Sequence, residues 1–294
     1  MVRSAALVAV WLAACNSVSP STGIDLANGG DLGLDAALPG DDADPLVGAM
    51  PQNARFVGNA GVNVFRSYSN AGASFFWPGF ATTCSTQRTG SCIETMCTNS
   101  VDGGQSSAAS AGTITIVSAA PIVALTYASG KYSSFVGMPS PWHGGDSLTI
   151  SAAGDTVPSF STTLLAPGPI VLRSPVVQHS VNTDTVTATR GEDLALSWTS
   201  GIAGYIVFSY GSSTALAPNA PSFSCSFPAR DGTGVIPAAV VDNMSRVSGS
   251  YVGDFALESE RHLLVGDALV DVVVNAEIDD SQGVELGLVT LQFQ

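Results

Sequence analysis

The chain has 294 residues, of which 45% are hydrophobic and only 12% are charged, so it can fill hydrophobic cores of ordinary size. Its 10 basic and 24 acidic residues give a formal net charge of −14, which excludes nucleic acid and anionic lipid as expected direct ligands. The 31 glycines and 16 prolines favour short strands joined by turns over long helices.

The first 14 residues have the pattern of a lipoprotein signal peptide. Arg3 supplies a short positive region, and the apolar stretch that follows ends in Leu12-Ala13-Ala14-Cys15. The stretch is too short to span a bilayer as a stable helix, which disfavours the alternative of a buried helix with a core cysteine. The pattern therefore predicts cleavage before Cys15, lipidation of its thiol and a membrane anchor, and Asn16 favours the outer membrane.

Residues 15–50 are predicted to be a disordered acidic tether, because they contain no lysine, arginine or aromatic residue and are rich in Gly, Asp, Ser and Pro. A calcium-binding loop is the alternative for this segment. The spacing of its aspartates is irregular and matches no known calcium loop, so no metal site is predicted there. These aspartates are Asp25, Asp31, Asp35, Asp41, Asp42 and Asp44.

An all-β fold is predicted for the rest of the chain. Alternating or β-branched runs, such as DSLTISAAG from Asp146 and DLALSWTS from Asp193, are bounded by turn residues. We expect two consecutive β-sandwich, immunoglobulin-like domains, over residues 51–166 and 167–294, linked by the proline-rich segment 166–175. Trp198 has the position of a core tryptophan, and GVIPAAVVDNM predicts one short helix with Pro237 in its first turn.

Four cysteines remain after Cys15, an even number that fits an exported, disulfide-bonded protein. If Gly90 and Ser91 form a two-residue type II′ hairpin turn, Cys84 lies opposite Cys97 and close enough to bridge. Cys92 then points to the other face and is left to join Cys225. A four-cysteine metal site is the alternative, but the spacing lacks paired metal-ligand motifs.

Segments such as CSTQRTGSCIETMC, RGEDLALSWT and CSFPARDGTGVIPAAVV are similar to those of a group of uncharacterised cell-envelope lipoproteins, found chiefly in myxobacteria. The resemblance spans nearly all of the chain after the tether. It implies an envelope location and an all-β, disulfide-bearing body. It implies no activity, cofactor or catalytic residue.

Motifs for catalysis are missing from the sequence: no nucleophile elbow, phosphate loop, dinucleotide fingerprint or zinc-protease helix is present. His179 and His262 have serines and carboxylates nearby, as expected in a chain of this composition. The candidate ligand-facing residues are Trp142, His143 and Asp146 in SPWHGGDS, together with Trp77 in the aromatic cluster ASFFWPGF.

Two function classes follow from these observations. The favoured one is a non-catalytic envelope lipoprotein with a structural or binding role toward a glycan, a protein or the cell wall. The alternative is an envelope hydrolase that acts on a polysaccharide or an ester through residues around His143 or in the acidic C-terminal stretch, and paired carboxylates in one cleft at glycosidase separation would support it. Neither class requires a cofactor.

Overall fold

Strands occur in every stretch of the chain that the structure, a computed structural model, describes. These stretches are residues 56–77, 82–99, 107–119, 122–180, 184–212, 220–247 and 251–294, so the predicted signal peptide, Cys15 and the tether lie outside them. The all-β prediction is confirmed. Within the described residues no helix has the length and apolar character needed to cross a membrane.

The bounds of the elements follow the turn residues that the sequence places between apolar runs. The first twelve strands are β1 (Phe56–Val64), β2 (Ser69–Trp77), β3 (Thr82–Thr89), β4 (Cys92–Asn99), β5 (Ser107–Ala108), β6 (Ile114–Val117), β7 (Ile122–Leu125), β8 (Tyr127–Ala128), β9 (Lys131–Tyr132), β10 (Phe135–Gly137), β11 (Ser147–Ala152) and β12 (Phe160–Leu165). The later elements are β13 (Ile170–Ser174), β14 (Val177–His179), β15 (Asp184–Ala188), β16 (Leu194–Trp198), β17 (Tyr205–Ser212), β18 (Pro221–Pro228), a 3₁₀ turn (Ala229–Asp231), β19 (Thr233–Ile236), α1 (Ala238–Arg246), β20 (Tyr251–Val265), β21 (Ala268–Ala276), β22 (Ile278–Asp280) and β23 (Leu288–Phe293).

Thirteen of the described strands form one large sheet, in which the order β10-β2-β1-β21-β20-β17-β18-β4-β3 makes the main path. β5, β14, β15 and β23 pair at its sides. Two four-stranded sheets, β12-β11-β6-β7 and β19-β16-β13-β22, contribute the rest of the two cores. Their apolar residues pack with those of the large sheet, which gives the layered arrangement of a β-sandwich.

Both hydrophobic cores lie on the same face of the large sheet, here called the inner face. Strand β20 shows this, since residues two apart on a strand share a face. Phe255 and Leu257 belong to one core, whereas Leu263 and Val265 pack on the other. The alternate residues of β20 therefore point to the opposite, outer face, which carries acidic and amide side chains.

The predicted boundary at residue 166 separates most of the two cores. Most described members of the first core come from residues 60–166, with four more from β21, and nearly all described members of the second come from residues 170–291. The two parts are nevertheless joined, because β1 pairs with β21, which lies in the second part, and β4 pairs with β18. The division into two consecutive domains stays a prediction. In each of these two ladders, a strand from residues 51–166 pairs with a strand from residues 167–294.

The proline-rich segment at that boundary is not only a linker, as the sequence had indicated. Its residues Ile170–Ser174 form β13, a strand that pairs with β16 and β22. The prediction was wrong here because apolar Ile170 and Leu172, each 1% exposed, are buried in the second core. Burial of this kind outweighs the local preference of the flanking prolines.

The cysteine hairpin has the predicted register. Gly90 has φ 60°, as the first turn residue of a type II′ turn requires, and Cys84 pairs with Cys97 in the backbone ladder. The side chains of Cys84 and Cys97 lie outside the described part, so their bond stays a prediction. The predicted disulfide between Cys92 and Cys225 is confirmed. It joins neighbouring strands of one sheet, whereas the immunoglobulin disulfide joins two sheets.

Two smaller predictions in the second half are also confirmed. Trp198 is a core residue, 3% exposed, and its indole N–H donates to the carbonyl of Ala229 over 2.7 Å. Helix α1 follows Pro237, which occupies the N-cap position and so lacks only an N–H that the helix does not use. Val240, Val241 and Met244 of this helix pack on the second core.

Candidate functional site

A histidine and two carboxylates converge on the outer face of the β20–β21 hairpin. The two strands are joined by a tight turn at Gly266. Its φ is 62°, a left-handed conformation that glycine adopts without the steric strain of other residues. Counting outward from this turn, the ladder places His262 directly opposite Asp271. Glu260 lies two residues before His262 and therefore on the same face.

The distances within this group, here called the hairpin cluster, are short. His262 Nδ1 lies 2.7 Å from Asp271 Oδ1, and His262 Nε2 lies 3.8 Å from Glu260 Oε2. The side chains of Glu260, His262 and Asp271 are 13%, 19% and 32% exposed. One ligating atom from each residue lies within 4.8 Å of the others, so the three side chains could hold a metal ion.

Further carboxylates continue along the same face of β20. Burial, followed by the charge of Asp254, raises the pKa of Glu258, and burial together with Glu258 raises the pKa of Glu260 well above its usual range. Burial also raises the pKa of Asp254 to about 6. Burial is the main cause in each case, because a negative charge is costly where water is scarce, and for Glu258 and Glu260 neighbouring negative charges add to it.

A ladder of asparagines extends this polar face across the neighbouring strands. Asn275 of β21 donates to Asn63 of β1 over 3.0 Å, and Asn63 donates to Asn70 of β2 over 2.7 Å. Asn275 pairs with Glu258 in the ladder, and its Oδ1 is buried without a hydrogen bond in the structure. The outer face thus joins an amide row to the acidic strip.

A second histidine cluster lies at the edge of the other core and is here called the edge cluster. His179 Nδ1 and Nε2 each lie 2.8 Å from a carboxylate, those of Asp184 and Asp280. Hydrogen bonds to Asp280 and then Asp184 raise the pKa of His179. Burial pushes the pKa of Asp280 upward, but its bonds to His179 and to the N–H groups of Val284 and Gln282 outweigh this and lower it.

The sequence-predicted ligand residues Trp142 and His143 line a cleft of about 550 Å³ at the seam between the two cores. Arg66 and Ser200 also line it, from loops of the two parts of the chain. The close packing of Gly144 on Gly168 helps shape this cleft, since a Cβ on Gly144 would lie 2.4 Å from the Cα of Gly168. Only glycine permits so close an approach of the two loops.

The four predicted ligand residues have different surroundings. Trp142 is 0% exposed and packs against Phe135 in the first core, so its ring face is not a platform for a ligand. His143 is 76% exposed, and its backbone N–H donates to Asp146, which makes that carboxylate a turn-forming group. Trp77 is 42% exposed at the end of β2, whereas Phe75 of the same aromatic cluster is buried.

Sequence reasoning missed both histidine clusters. The hairpin cluster had a usable signal, because the Gly266-Asp267 turn between two β-branched runs fixes the register that pairs His262 with Asp271. The edge cluster had no such sequence signal for Asp280, because this residue is 101 positions away from His179 in the chain. Contacts of that range depend on the sheet order, which the sequence does not display.

Comparisons with known proteins identify no family. No protein-family model matches the chain, and no curated protein matches it. A solved structure concerned with the host cell surface retention of a 1.5-MDa bacterial ice-binding adhesin is 11% identical, with a TM-score of 0.17, and covers 77% of this chain and 99% of its own. Tandem immunoglobulin domains of titin are 9% identical, with a TM-score of 0.14, and cover 78% of this chain and 95% of their own. At these values neither similarity identifies a function.

Proposed function

We propose that this chain is a non-catalytic lipoprotein of the bacterial cell envelope that is anchored through Cys15 and presents its β-sandwich body as a binding module. The observation that carries the proposal is the disulfide between Cys92 and Cys225, both of which are buried in the second core. Structural disulfides persist in exported proteins and are rare in the reducing cytosol. The Leu12 to Cys15 pattern and the resemblance to envelope lipoproteins support the same location, with the outer membrane favoured.

The seam cleft is the proposed ligand site of this module. It combines exposed apolar groups, such as Ile202 at 72% exposure, with the polar side chains of His143 and Ser200. Sugars take lining of this kind, because their C–H faces pack on apolar groups while their hydroxyls need donors and acceptors. A surface glycan or cell-wall glycan is therefore the ligand class that fits the cleft.

The anchor is tested by peptide mapping of the native, non-reduced protein purified from its own membranes. The proposal predicts an acylated peptide that begins at Cys15 and linked peptides that contain Cys92 and Cys225. An unmodified N-terminus together with free thiols would contradict the export argument.

The binding role is tested by sedimentation with insoluble cell-wall polysaccharide. We expect the His143→Ala and Ile202→Ser double variant to lose at least about tenfold in affinity, since it removes a polar and an apolar contact. Ile122→Ser is the matched control, because Ile122 is 71% exposed but does not line the cleft. Equal binding by both variants would remove the cleft from the proposal.

The alternative, an envelope hydrolase, has one observation in its favour. The ligating oxygens of Glu260 and Asp271 lie within 4.8 Å of each other, close to the carboxylate separation of about 5 to 5.5 Å in retaining glycosidases. The imidazole of His262 is hydrogen-bonded to Asp271 and approaches Glu260, whereas a glycosidase places the sugar between its carboxylates. Release of reducing sugar from envelope polysaccharide that is abolished by Glu260→Gln would favour the hydrolase over the binding module.

A further inference from the structure

We propose that Glu260, His262 and Asp271 form a binding site for a divalent transition-metal ion of the zinc class. The sequence alone predicted no metal site, because the three residues do not form a recognised motif. They become neighbours only when β20 and β21 pair. The inference concerns the hairpin cluster alone and is independent of both the lipid anchor and the seam cleft.

The donor set selects the class of ion. One imidazole nitrogen and two carboxylate oxygens suit Zn²⁺ and its neighbours in the transition series. Calcium and magnesium prefer ligand sets made of oxygen alone, so a histidine at the centre of the group disfavours them. Three protein ligands also leave the fourth tetrahedral position of Zn²⁺ open to water or to an acidic group of a ligand.

The geometry is close to what such an ion requires. Tetrahedral ligands with bonds of about 2.1 Å lie about 3.4 Å apart. His262 Nε2 is 3.8 Å from Glu260 Oε2, whereas Asp271 Oδ1 lies 2.7 Å from the other ring nitrogen, Nδ1, so one carboxylate must turn toward the nitrogen that binds the ion. One ligating atom from each of the three residues lies within 4.8 Å of the others. Side-chain rotation can close the remaining gap, because the backbone positions of the three residues are fixed by the ladder between two long strands.

The charge balance points in the same direction. Glu260 and Asp271 share the face with Glu258 and Asp254, so when these four carboxylates are ionised even a protonated His262 leaves an excess of negative charge. In the described part of the chain, none of the ion pairs formed by arginine involves these four carboxylates. Arg261, between Glu260 and His262 in sequence, points to the inner face. A divalent cation would supply the missing positive charge.

Access to the cluster is also adequate. The exposure of 13 to 32% for its three side chains leaves a path for an ion while removing much of the competing water. Binding of an ion at Nδ1 of His262 would replace its 2.7 Å contact with Asp271.

The test is titration of the full chain with Co²⁺, whose visible absorption reports tetrahedral coordination, followed by displacement with Zn²⁺. We expect one equivalent of Co²⁺ with a tetrahedral spectrum, and roughly tenfold or greater weakening in His262→Gln and in Asp271→Asn. Asp271 is the more exposed residue, so its variant serves if the histidine variant does not fold. His143→Gln is the matched control, because His143 is 76% exposed and lies outside the cluster.

Two outcomes would overturn the proposal. One is the absence of a tetrahedral Co²⁺ spectrum at millimolar metal. The other is binding that is unchanged in both cluster variants, which would assign the ion to other ligands, such as the aspartates of residues 25–44. Melting curves without metal establish that each variant is folded before it is titrated.

Discussion

The edge cluster around His179 and the hairpin cluster around His262 contain the same groups, one imidazole between two carboxylates, in different surroundings. In the edge cluster, Asp280 is 3% exposed, and its second oxygen accepts the backbone N–H groups of Gln282 and Val284, each over 2.8 Å. In the hairpin cluster, no described backbone N–H donates to the side chains of Glu260 or Asp271. Backbone hydrogen bonds to the carboxylates, more than the set of side chains, therefore decide whether such a cluster stabilises the fold or remains available to a ligand.

The largest expected effect is on the free energy of unfolding when a carboxylate is removed from each cluster. We expect Asp280→Ala to lower it by about 3 kcal/mol, because two backbone N–H groups and His179 lose their shared acceptor, a carboxylate that is 3% exposed. Asp271→Ala should lower it by about 1 kcal/mol or less, since only one partly exposed bond is lost. Urea unfolding at pH 6 measures both, and equal losses would contradict the distinction between the clusters.

A second prediction concerns the pH dependence that His179 contributes. Its pKa is raised in the folded state, so its stabilising effect is fully present below the unfolded pKa of about 6.5 and is lost as the pH rises through the folded value. We expect His179→Gln to lower the free energy of unfolding by roughly 1.5 kcal/mol at pH 5 and by clearly less at pH 9. A loss of equal size at both values would mean that the charge of His179 does not matter.

The smallest expected effect comes from the acidic strip beside the hairpin cluster. The pKa of Asp254 is raised to about 6, so its charge destabilises the folded state increasingly as the pH rises from about 4 to 6 and by a constant amount above that. Asp254→Asn should therefore raise the free energy of unfolding by about 1 kcal/mol at pH 8 and leave it nearly unchanged at pH 4. Asp231→Asn, at a side chain 54% exposed, is the control and should show neither change.

Much of the fold could be predicted because local patterns specify it. The all-β class follows from alternating runs and turn residues. Counting residues around the Gly90 turn places Cys84 opposite Cys97, which leaves Cys92 to pair with Cys225. The same counting around Gly266 would have paired His262 with Asp271. That half of the hairpin cluster is therefore specified by the local sequence.

The remaining features depend on long-range pairing. The parallel ladder between β1 and β21 joins segments about 210 residues apart, and no local pattern indicates such a partner. Trp142 was predicted to face a ligand because it lies in a glycine-rich turn. It is instead 0% exposed, because its large side chain packs in the first core. Asp280 lies in β22, which pairs with β13, and contacts His179 from 101 residues away.

The most direct test of the difference between the two clusters is X-ray diffraction from crystals soaked in Zn²⁺, recorded at the zinc absorption edge. The account predicts an anomalous peak within bonding distance of Glu260, His262 and Asp271, and none beside His179, whose two nitrogens are already engaged by Asp184 and Asp280. A peak beside His179, or no peak at the β20–β21 hairpin at full soaking, would contradict it.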